Sequence, residues 1–178
     1  MIFNDTVLLH KYYLERAKQI REKYNSKVIL KTDLDNEVYS SPCEGGIVGN
    51  LGDNLEIVAF DIVEELYERA KKLNLNASIS VGDIREINDV EKYDLIIDLS
   101  TLDHVCKEDA IKTIENYKRA LKKGGILLLI VWTAEQDRGA DKQYWFKDID
   151  KYLFNIIERK DDLYSVGDDI LKEFVCQK

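Results

Sequence analysis

Several residues with ligand-binding side chains stand directly after apolar, strand-like runs of this sequence. Asp61 follows EIVAF, Asp83 follows ASISV and a glycine, and Ser100 follows YDLIIDL. Asp83 lies 22 residues after Asp61, at the end of the next strand-like run. A carboxylate can accept hydrogen bonds from two ligand hydroxyls or from an amine. Because the carboxyl ends of parallel strands meet at one edge of a sheet, this spacing predicts a nucleotide-like ligand there.

The segment from Glu37 to Asp61, EVYSSPCEGGIVGNLGDNLEIVAFD, contains the candidate ligand loop. Two short runs are candidates for the strand before it, residues 28–30 and residues 37–40, and the second is favoured because only it leads directly into glycines. Ser40 precedes Asp61 by 21 residues, close to the roughly 20 expected between a glycine loop and a ribose-binding acid. The glycines do not spell GxGxxG, so the loop lacks the dinucleotide motif, and an ordinary surface loop is the alternative interpretation.

Composition narrows the class of protein. The chain has 178 residues, of which 45% are hydrophobic, enough for the core of one domain. A formal net charge of −8 disfavours nucleic acid as a ligand. Apolar runs fall short of the roughly 20 residues of a membrane span, and the N-terminus lacks the basic start of a signal peptide. We therefore expect a cytoplasmic protein that does not enter a membrane.

Neither the cysteines nor the histidines are spaced as metal or redox motifs. Cys43, Cys106 and Cys176 are far apart, and His10 and His104 have no carboxylate or cysteine partners at a recognisable ligand spacing. We therefore expect reduced, mostly buried thiols and no metal site.

Strand-like runs alternate with helical periodicity along the whole chain, which indicates one α/β domain over residues 1–178. The expected fold is doubly wound and mostly parallel, with helices on both faces of the sheet and a C-terminal antiparallel hairpin. Residues 1–27 carry an N-terminal helix that is expected to cover the site. The predicted elements are helices over 4–24, 62–73, 107–122 and 146–153, and strands over 37–40, 56–60, 77–81, 93–99, 126–132, 155–158 and 170–176.

Three parts of the sequence resemble, in order and spacing, the class I S-adenosylmethionine-dependent methyltransferases. They are the acid of IVAFD, the GD of ISVGD, and YDLIIDLSTLDHV followed by AIKTIENYKRALKKGGILLLIVW. The last part is the most specific, because in that family a helix ending in a GG turn leads into the fifth strand. The resemblance covers roughly residues 37–132. It implies the family's seven-stranded sheet, S-adenosylmethionine as cofactor, S-adenosylhomocysteine as product, and no metal.

The resemblance also implies a role for each matched residue. Asp61 would accept both hydroxyls of the ribose, since a carboxylate offers two oxygens to two donors. Asp83 would accept the exocyclic amine of the adenine, and the backbone amide of Ile84 would face the ring nitrogen beside it. Ile62 would lie against one face of the purine, and Ser100 would border the methionine part.

The first motif departs from the family pattern, which is an acid followed by alternating glycines. In the aligned segment SSPCEGG, Ser40 replaces the acid, and Pro42 and Glu44 replace two glycines. Proline fixes φ and has no N–H to donate, so a different turn is expected. Glu44 is expected to pair with the ammonium of the cofactor. The cofactor-binding candidates in this loop are Ser41, Glu44, Gly45 and Gly46.

Asp103 and His104 are the candidate catalytic residues. They stand where the family's acceptor pocket opens, and a histidine there can act as a general base near neutral pH. An aspartate that caps a helix, followed by a partly exposed histidine, is the alternative interpretation.

The predicted function is methyl transfer to a small-molecule acceptor. The sequence after the fourth strand reads DLST and not D/N-P-P-Y, which disfavours planar amide and base nitrogens as acceptors. Two alternatives remain. The first is a catalytically silent domain of the same fold, acting as a partner or regulatory subunit, which the altered first motif favours. The second is a nicotinamide-dependent oxidoreductase, which the missing GxGxxG disfavours.

Overall fold

Seven strands form a single sheet in the computed structural model, which describes residues 6–39, 46–134 and 147–178. The order across the sheet is β3-β2-β1-β4-β5-β7-β6. Strands β1 to β5 pair in parallel, whereas β7 is antiparallel to both β5 and β6. This confirms the mostly parallel, seven-stranded sheet with a C-terminal hairpin. The strands are β1 (Val28–Lys31), β2 (Glu56–Asp61), β3 (Ser78–Val81), β4 (Tyr93–Leu99), β5 (Leu121–Ala134), β6 (Ile156–Val166) and β7 (Asp169–Gln177).

Two separate apolar layers cover the two faces of this sheet. Successive strand residues point to opposite faces, so Ile29 belongs to one layer and Leu30 to the other. The first layer contains the inward sides of α1 and α3, and the second contains the inward side of α4. The helices are α1 (Thr6–Lys23), α2 (Asp35–Tyr39), α3 (Glu64–Lys71) and α4 (Lys107–Ala120). Among them, none is long and apolar enough to cross a membrane.

The prediction of the first core strand was wrong. Residues 28–31 form β1, and residues 35–39, which include most of the favoured run, form α2. β1 lies between β2 and β4, so Ile29 and Leu30 are buried on opposite faces, as the central position requires. Glu37 points inward and its carboxylate accepts the backbone amides of Ile47 and Val48, which holds the following turn against α2.

The sequence suggested that Gly124 and Gly125 end α4. In the structure they instead lie within β5 and interrupt its regular pairing. The helix ends at Ala120, and β5 begins at the next residue. The β4–β5 pairing shifts register at this point, and Gly124 has a φ of +79°. A Cβ on Gly125 would lie 2.9 Å from the carbonyl oxygen of Lys122. The two glycines therefore allow a bulge in which the backbone folds tightly on itself.

The end of the chain follows the predicted hairpin. Gly167 turns between β6 and β7 with a φ of +60°, a conformation that favours glycine. The helix expected over 146–153 is reduced, in the described part, to one 3₁₀ turn over Ile149–Lys151.

A buried ionic cluster joins α1 to this hairpin. Arg16 donates from Nε to Glu173 on β7, with an N···O distance of 2.6 Å, and from its other end to Glu158 on β6. Tyr12 donates its hydroxyl to Glu173, whose side chain is 1% exposed. Burial and Glu173 raise the pKa of Tyr12, so the phenol keeps its proton and acts as a donor. The cluster holds α1 at a defined position beside the sheet.

Substitution of Arg16 tests the contribution of this cluster to stability. Arg16→Met retains a long apolar side chain but leaves Glu173 buried without its guanidinium partner. We expect the free energy of unfolding, measured by urea denaturation, to fall by about 3 kcal/mol. Lys23→Met removes an exposed ion pair to the same Glu158 and should change stability little, because solvent screens that pair. Equal losses in the two variants would contradict the assignment.

Candidate functional site

Two adjacent cavities of about 430 Å³ each open at the carboxyl ends of the parallel strands. The β3-side cavity extends over the residues after β3 to the start of α4. The α1-side cavity extends between α1 and α3 and is bordered by Leu9, His10 and Tyr13 of α1. The wall common to both cavities consists of Asp33, Asp61, Ile62, Thr101 and His104.

Asp61 occupies the centre of this wall, at the end of β2. Its Oδ2 accepts the backbone amide of Leu34 and its Oδ1 accepts that of Val63, each at 2.9 Å. Each oxygen of a carboxylate has a further acceptor position, so both can still receive a ligand hydroxyl. The next residue, Ile62, is 60% exposed and presents an apolar surface to both cavities.

Asp83 lies in the β3-side cavity, where its carboxylate is engaged by Arg85. Asp83 accepts the backbone amide of Arg85 at 2.9 Å and two bonds from the guanidinium group. This pairing holds the pKa of Asp83 below its ordinary value. Arg85 also lies 3.4 Å from Asp109 at the start of α4. Ile84 is buried and lines the same cavity. Arg85 was not predicted from the sequence as a residue of this site.

The turn after β4 is shaped by a buried carboxylate. Asp98 accepts the Thr101 amide at 2.9 Å and the Tyr117 hydroxyl at 2.7 Å, and burial raises its pKa to about 6. Ser100 adopts a φ of +62°, so the chain turns sharply into the α1-side cavity. Its buried Oγ has no hydrogen-bond partner among the described residues. Ser100 therefore places an unsatisfied hydroxyl beside the α1-side cavity.

A buried lysine ends β1, and an aspartate follows two residues later. Lys31 is fully buried, and its Nζ lies 2.7 Å from Oδ2 of Asp33 and donates to the Asp33 backbone carbonyl. The carboxylate of Asp33 borders both cavities. Neither residue was predicted at the site from the sequence. Residues 28–30 were not chosen as the first core strand, so the residues after them were not considered as ligand-binding residues. The polar run TDLDN directly after VILK was the available signal.

Most of the glycine-loop candidates cannot be placed. Ser41, Glu44 and Gly45 lie outside the described residues. Gly46 borders neither cavity and packs against Glu37, where a Cβ would lie 2.2 Å from Oε2. The described residues at the carboxyl end of β1 are instead those of the segment 32–35, which includes Asp33.

Asp103 and His104 are adjacent in sequence but face different surroundings. His104 borders both cavities, and burial lowers its pKa despite nearby carboxylates, so the imidazole is neutral at pH 7. Asp103 is fully buried and borders neither cavity. Its Oδ2 accepts the backbone amide of Trp132 on β5 at 2.9 Å, and burial raises its pKa to about 8. Only His104 can contact a ligand from its present position.

A family model described as a methyltransferase domain matches residues 44–125. The matched range begins after β1 and ends within β5, so it includes the strand ends that carry Asp61, Asp83 and Ser100. Over less than half of its length, the chain is therefore similar to this family of methyltransferase domains. The segment after β1 that carries Asp33 and Asp35 lies outside the matched range.

A curated protein that is described as a probable methyltransferase is also similar to this chain. The chain is 26% identical over 139 residues to the probable S-adenosyl-L-methionine-dependent methyltransferase TehB of Haemophilus influenzae. The aligned residues are 71% of this chain and 49% of the relative, so the chain spans about half the length of the curated relative it matches.

Solved structures share the fold. N-methyltransferase NodS from Bradyrhizobium japonicum, in complex with S-adenosyl-L-homocysteine, superposes with a TM-score of 0.66 at 18% identity, covering 92% of this chain and 86% of that one. The 1,6-didemethyltoxoflavin-N1-methyltransferase of Burkholderia thailandensis gives a TM-score of 0.63 at 14% identity, covering 97% and 81%.

Asp103 should make the stability of this domain depend on pH. The folded pKa of about 8 lies above the ordinary value of 3.8, so the unfolded chain loses this proton first as pH rises. The free energy of unfolding of the wild type therefore falls as the pH rises from 3.8 to about 8. Asp103→Asn removes this dependence on pH and keeps an acceptor for Trp132. Relative to wild type, its free energy of unfolding should rise by roughly 3 kcal/mol between about pH 5 and about pH 8. Parallel pH profiles would contradict this assignment.

The protonation of His104 can be measured directly. Burial opposes the charged imidazolium more strongly than Asp33, Asp35 and Asp61 favour it, so the pKa should lie below 6.5. We expect an NMR titration of the imidazole resonances to give a midpoint below 6.5, with His10→Gln used to assign the two histidines. A midpoint at or above 6.5 would contradict the lowered pKa of this half-exposed imidazole.

Proposed function

We propose that this chain transfers a methyl group from S-adenosylmethionine to a small-molecule acceptor. The observation that carries the proposal is the position of Asp61, which stands between two cavities in a chain similar to methyltransferase domains. When bound, S-adenosylmethionine supplies an electrophilic methyl group on a positively charged sulfur. The relatives named above support the proposal, since one is a probable S-adenosyl-L-methionine-dependent methyltransferase and another has a small molecule bound.

The residues of the β3-side cavity fit an adenosine. Asp61 would hold the ribose through its two free acceptor positions, because its other positions are taken by backbone amides. Ile62 offers an apolar face to the purine. Asp83 would accept the exocyclic amine, and the Ile84 amide would face the ring nitrogen beside it. Arg85 must then share the Asp83 carboxylate with the ligand.

The methionine part of the cofactor would lie along the common wall. Asp33 places a carboxylate there for the ammonium group, and Lys31 holds that carboxylate in position. Ser100, with its unpaired Oγ, borders the same space. In this proposal, Asp33 and Ser100 take over part of the role that the glycine loop has in the family.

The main contribution of the protein to catalysis is then alignment of donor and acceptor. The acceptor would occupy the α1-side cavity, where apolar residues of α1 and α3 exclude water. The neutral imidazole of His104 borders both cavities and can accept a proton from an acceptor that must lose one.

Cofactor binding tests this proposal and its alternatives together. We expect calorimetry to show S-adenosylhomocysteine binding to the wild type, and at least a tenfold loss in Asp61→Asn, which keeps the side-chain shape but removes the charge and one acceptor. Glu64→Gln is the matched control, because Glu64 is exposed at the start of α3 and borders neither cavity. Circular dichroism would verify that both variants fold.

The other outcomes are equally informative. Binding that is unaffected by Asp61→Asn would remove the proposed site. No binding of either S-adenosylmethionine or its demethylated product would favour a silent regulatory domain, and binding of NAD would favour an oxidoreductase.

A further inference from the structure

We propose that the methyl acceptor is a small amine, which enters the α1-side cavity as a cation and is held by Asp35. This inference rests on the proposed function, because the β3-side cavity is assigned there to the cofactor. The α1-side cavity then remains for the acceptor, and its lining defines the chemistry that fits.

Carboxylates dominate the charge of the α1-side cavity. Asp33, Asp35 and Asp61 line it, and no lysine or arginine is among the described residues that do so. A concave surface of one charge sign with apolar walls concentrates ligands of the opposite sign. An anionic acceptor would be repelled from this cavity, and a neutral one would gain nothing from its charge.

Asp35 differs from the other two carboxylates. Asp33 and Asp61 border both cavities and are already engaged, the first by Lys31 and the second by two backbone amides. Asp35 borders the α1-side cavity alone, and its carboxylate has no hydrogen bond or ion pair within the described parts of the chain. It therefore remains available to a cation after the cofactor is bound.

The electrostatic surroundings of Asp35 also favour a cationic partner. Partial burial and the adjacent Asp33 raise the pKa of Asp35, whereas Lys31 and His10 oppose that effect. A bound ammonium group would relieve the repulsion between the two carboxylates, and it would donate charge-assisted hydrogen bonds to Asp35.

The remaining lining indicates that the amine carries an apolar body. Leu9 and Tyr13 of α1, Leu66 of α3 and Leu99 of β4 face this cavity. A volume of about 430 Å³ is suited to a small molecule, and apolar walls with a few polar groups are typical of such sites. An arylalkyl amine combines the required charge with the required apolar surface.

The same cavity wall provides the proton acceptor that an amine needs. A protonated amine has no lone pair for attack, so it must first give one proton to the neutral imidazole of His104. The nitrogen lone pair then forms the bond to the methyl carbon while the carbon–sulfur bond breaks and its electron pair stays on sulfur. The products are a methylated ammonium, a neutral thioether and a protonated His104, which releases its proton to solvent.

A set of three ligands of matched size and different charge tests the proposal. The probes are 2-phenylethylamine, 2-phenylethanol and phenylacetate, titrated by NMR into the full chain saturated with S-adenosylhomocysteine. We expect the amine to bind at least tenfold more tightly than the alcohol, and phenylacetate to bind most weakly. Asp35→Asn should weaken amine binding at least fivefold and leave alcohol binding unchanged. Asp53→Asn, the same change at an exposed site outside both cavities, is the control.

Each result bears on the proposal. Amine binding that is no tighter than alcohol binding, or that is unaffected by Asp35→Asn, would overturn it while leaving the methyltransferase proposal intact. If the wild type does not bind S-adenosylhomocysteine in the first place, the proposed function fails, and this inference fails with it.

Discussion

The carboxylate of Asp61 connects the two strand ends on which the site is built. Its two oxygens hold the amide of Leu34, three residues beyond β1, and the amide of Val63, two residues beyond β2. Leu34 is fully buried, so this bond fixes the path of the β1 loop into the core. The same carboxylate faces both cavities. In the proposed site, its remaining acceptor positions take ligand hydroxyls, so scaffold and binding site depend on one group.

The site concentrates negative charge and controls it in several ways. The pKa of Asp103 is raised to about 8, so this carboxyl group is largely uncharged at pH 7. Asp98 is stabilised by a phenol and a backbone amide, and Asp33 by a buried lysine. Asp61 and Asp35 face the cavities. The buried carboxyl groups of Asp98 and Asp103 are therefore protonated or hydrogen-bonded, whereas Asp33, Asp35 and Asp61 border the α1-side cavity, where a cationic ligand can meet them.

The fold could largely be predicted from the sequence because most strands have a local sequence signal. β4 and β5 are long apolar runs. β2 ends on an acid, and β3 is followed by a glycine and an acid at similar spacing. β1 could not be predicted in the same way, since it has four residues and ends on Lys31. The burial of that lysine depends on its ion pair with Asp33, and a tertiary contact of this kind leaves no periodic signal. The run 37–40 borders glycines, so its sequence has the pattern of a strand before a ligand loop although residues 35–39 form a helix.

This one error explains most of what was missed at the site. Asp61, Asp83 and Ser100, which line the cavities, could be named from the sequence because their strands were placed correctly. Asp33 and Asp35 follow β1 and were missed with it. Arg85 was missed for another reason, because a charged residue after a strand end is ordinary in a sequence. Its significance comes from the geometry that directs its guanidinium onto Asp83.

The two cavities differ in how they depend on the rest of the chain. The β3-side cavity is lined only by residues that follow β1 to β4 and by the start of α4, all within residues 32–109. The α1-side cavity needs α1, which is held in place by Glu158 and Glu173 of the C-terminal hairpin. Changes in α1 or in the hairpin can therefore reshape the α1-side cavity while the β3-side cavity keeps its lining. Under the proposed assignment of the two cavities, the acceptor side can therefore vary while the cofactor side keeps its lining.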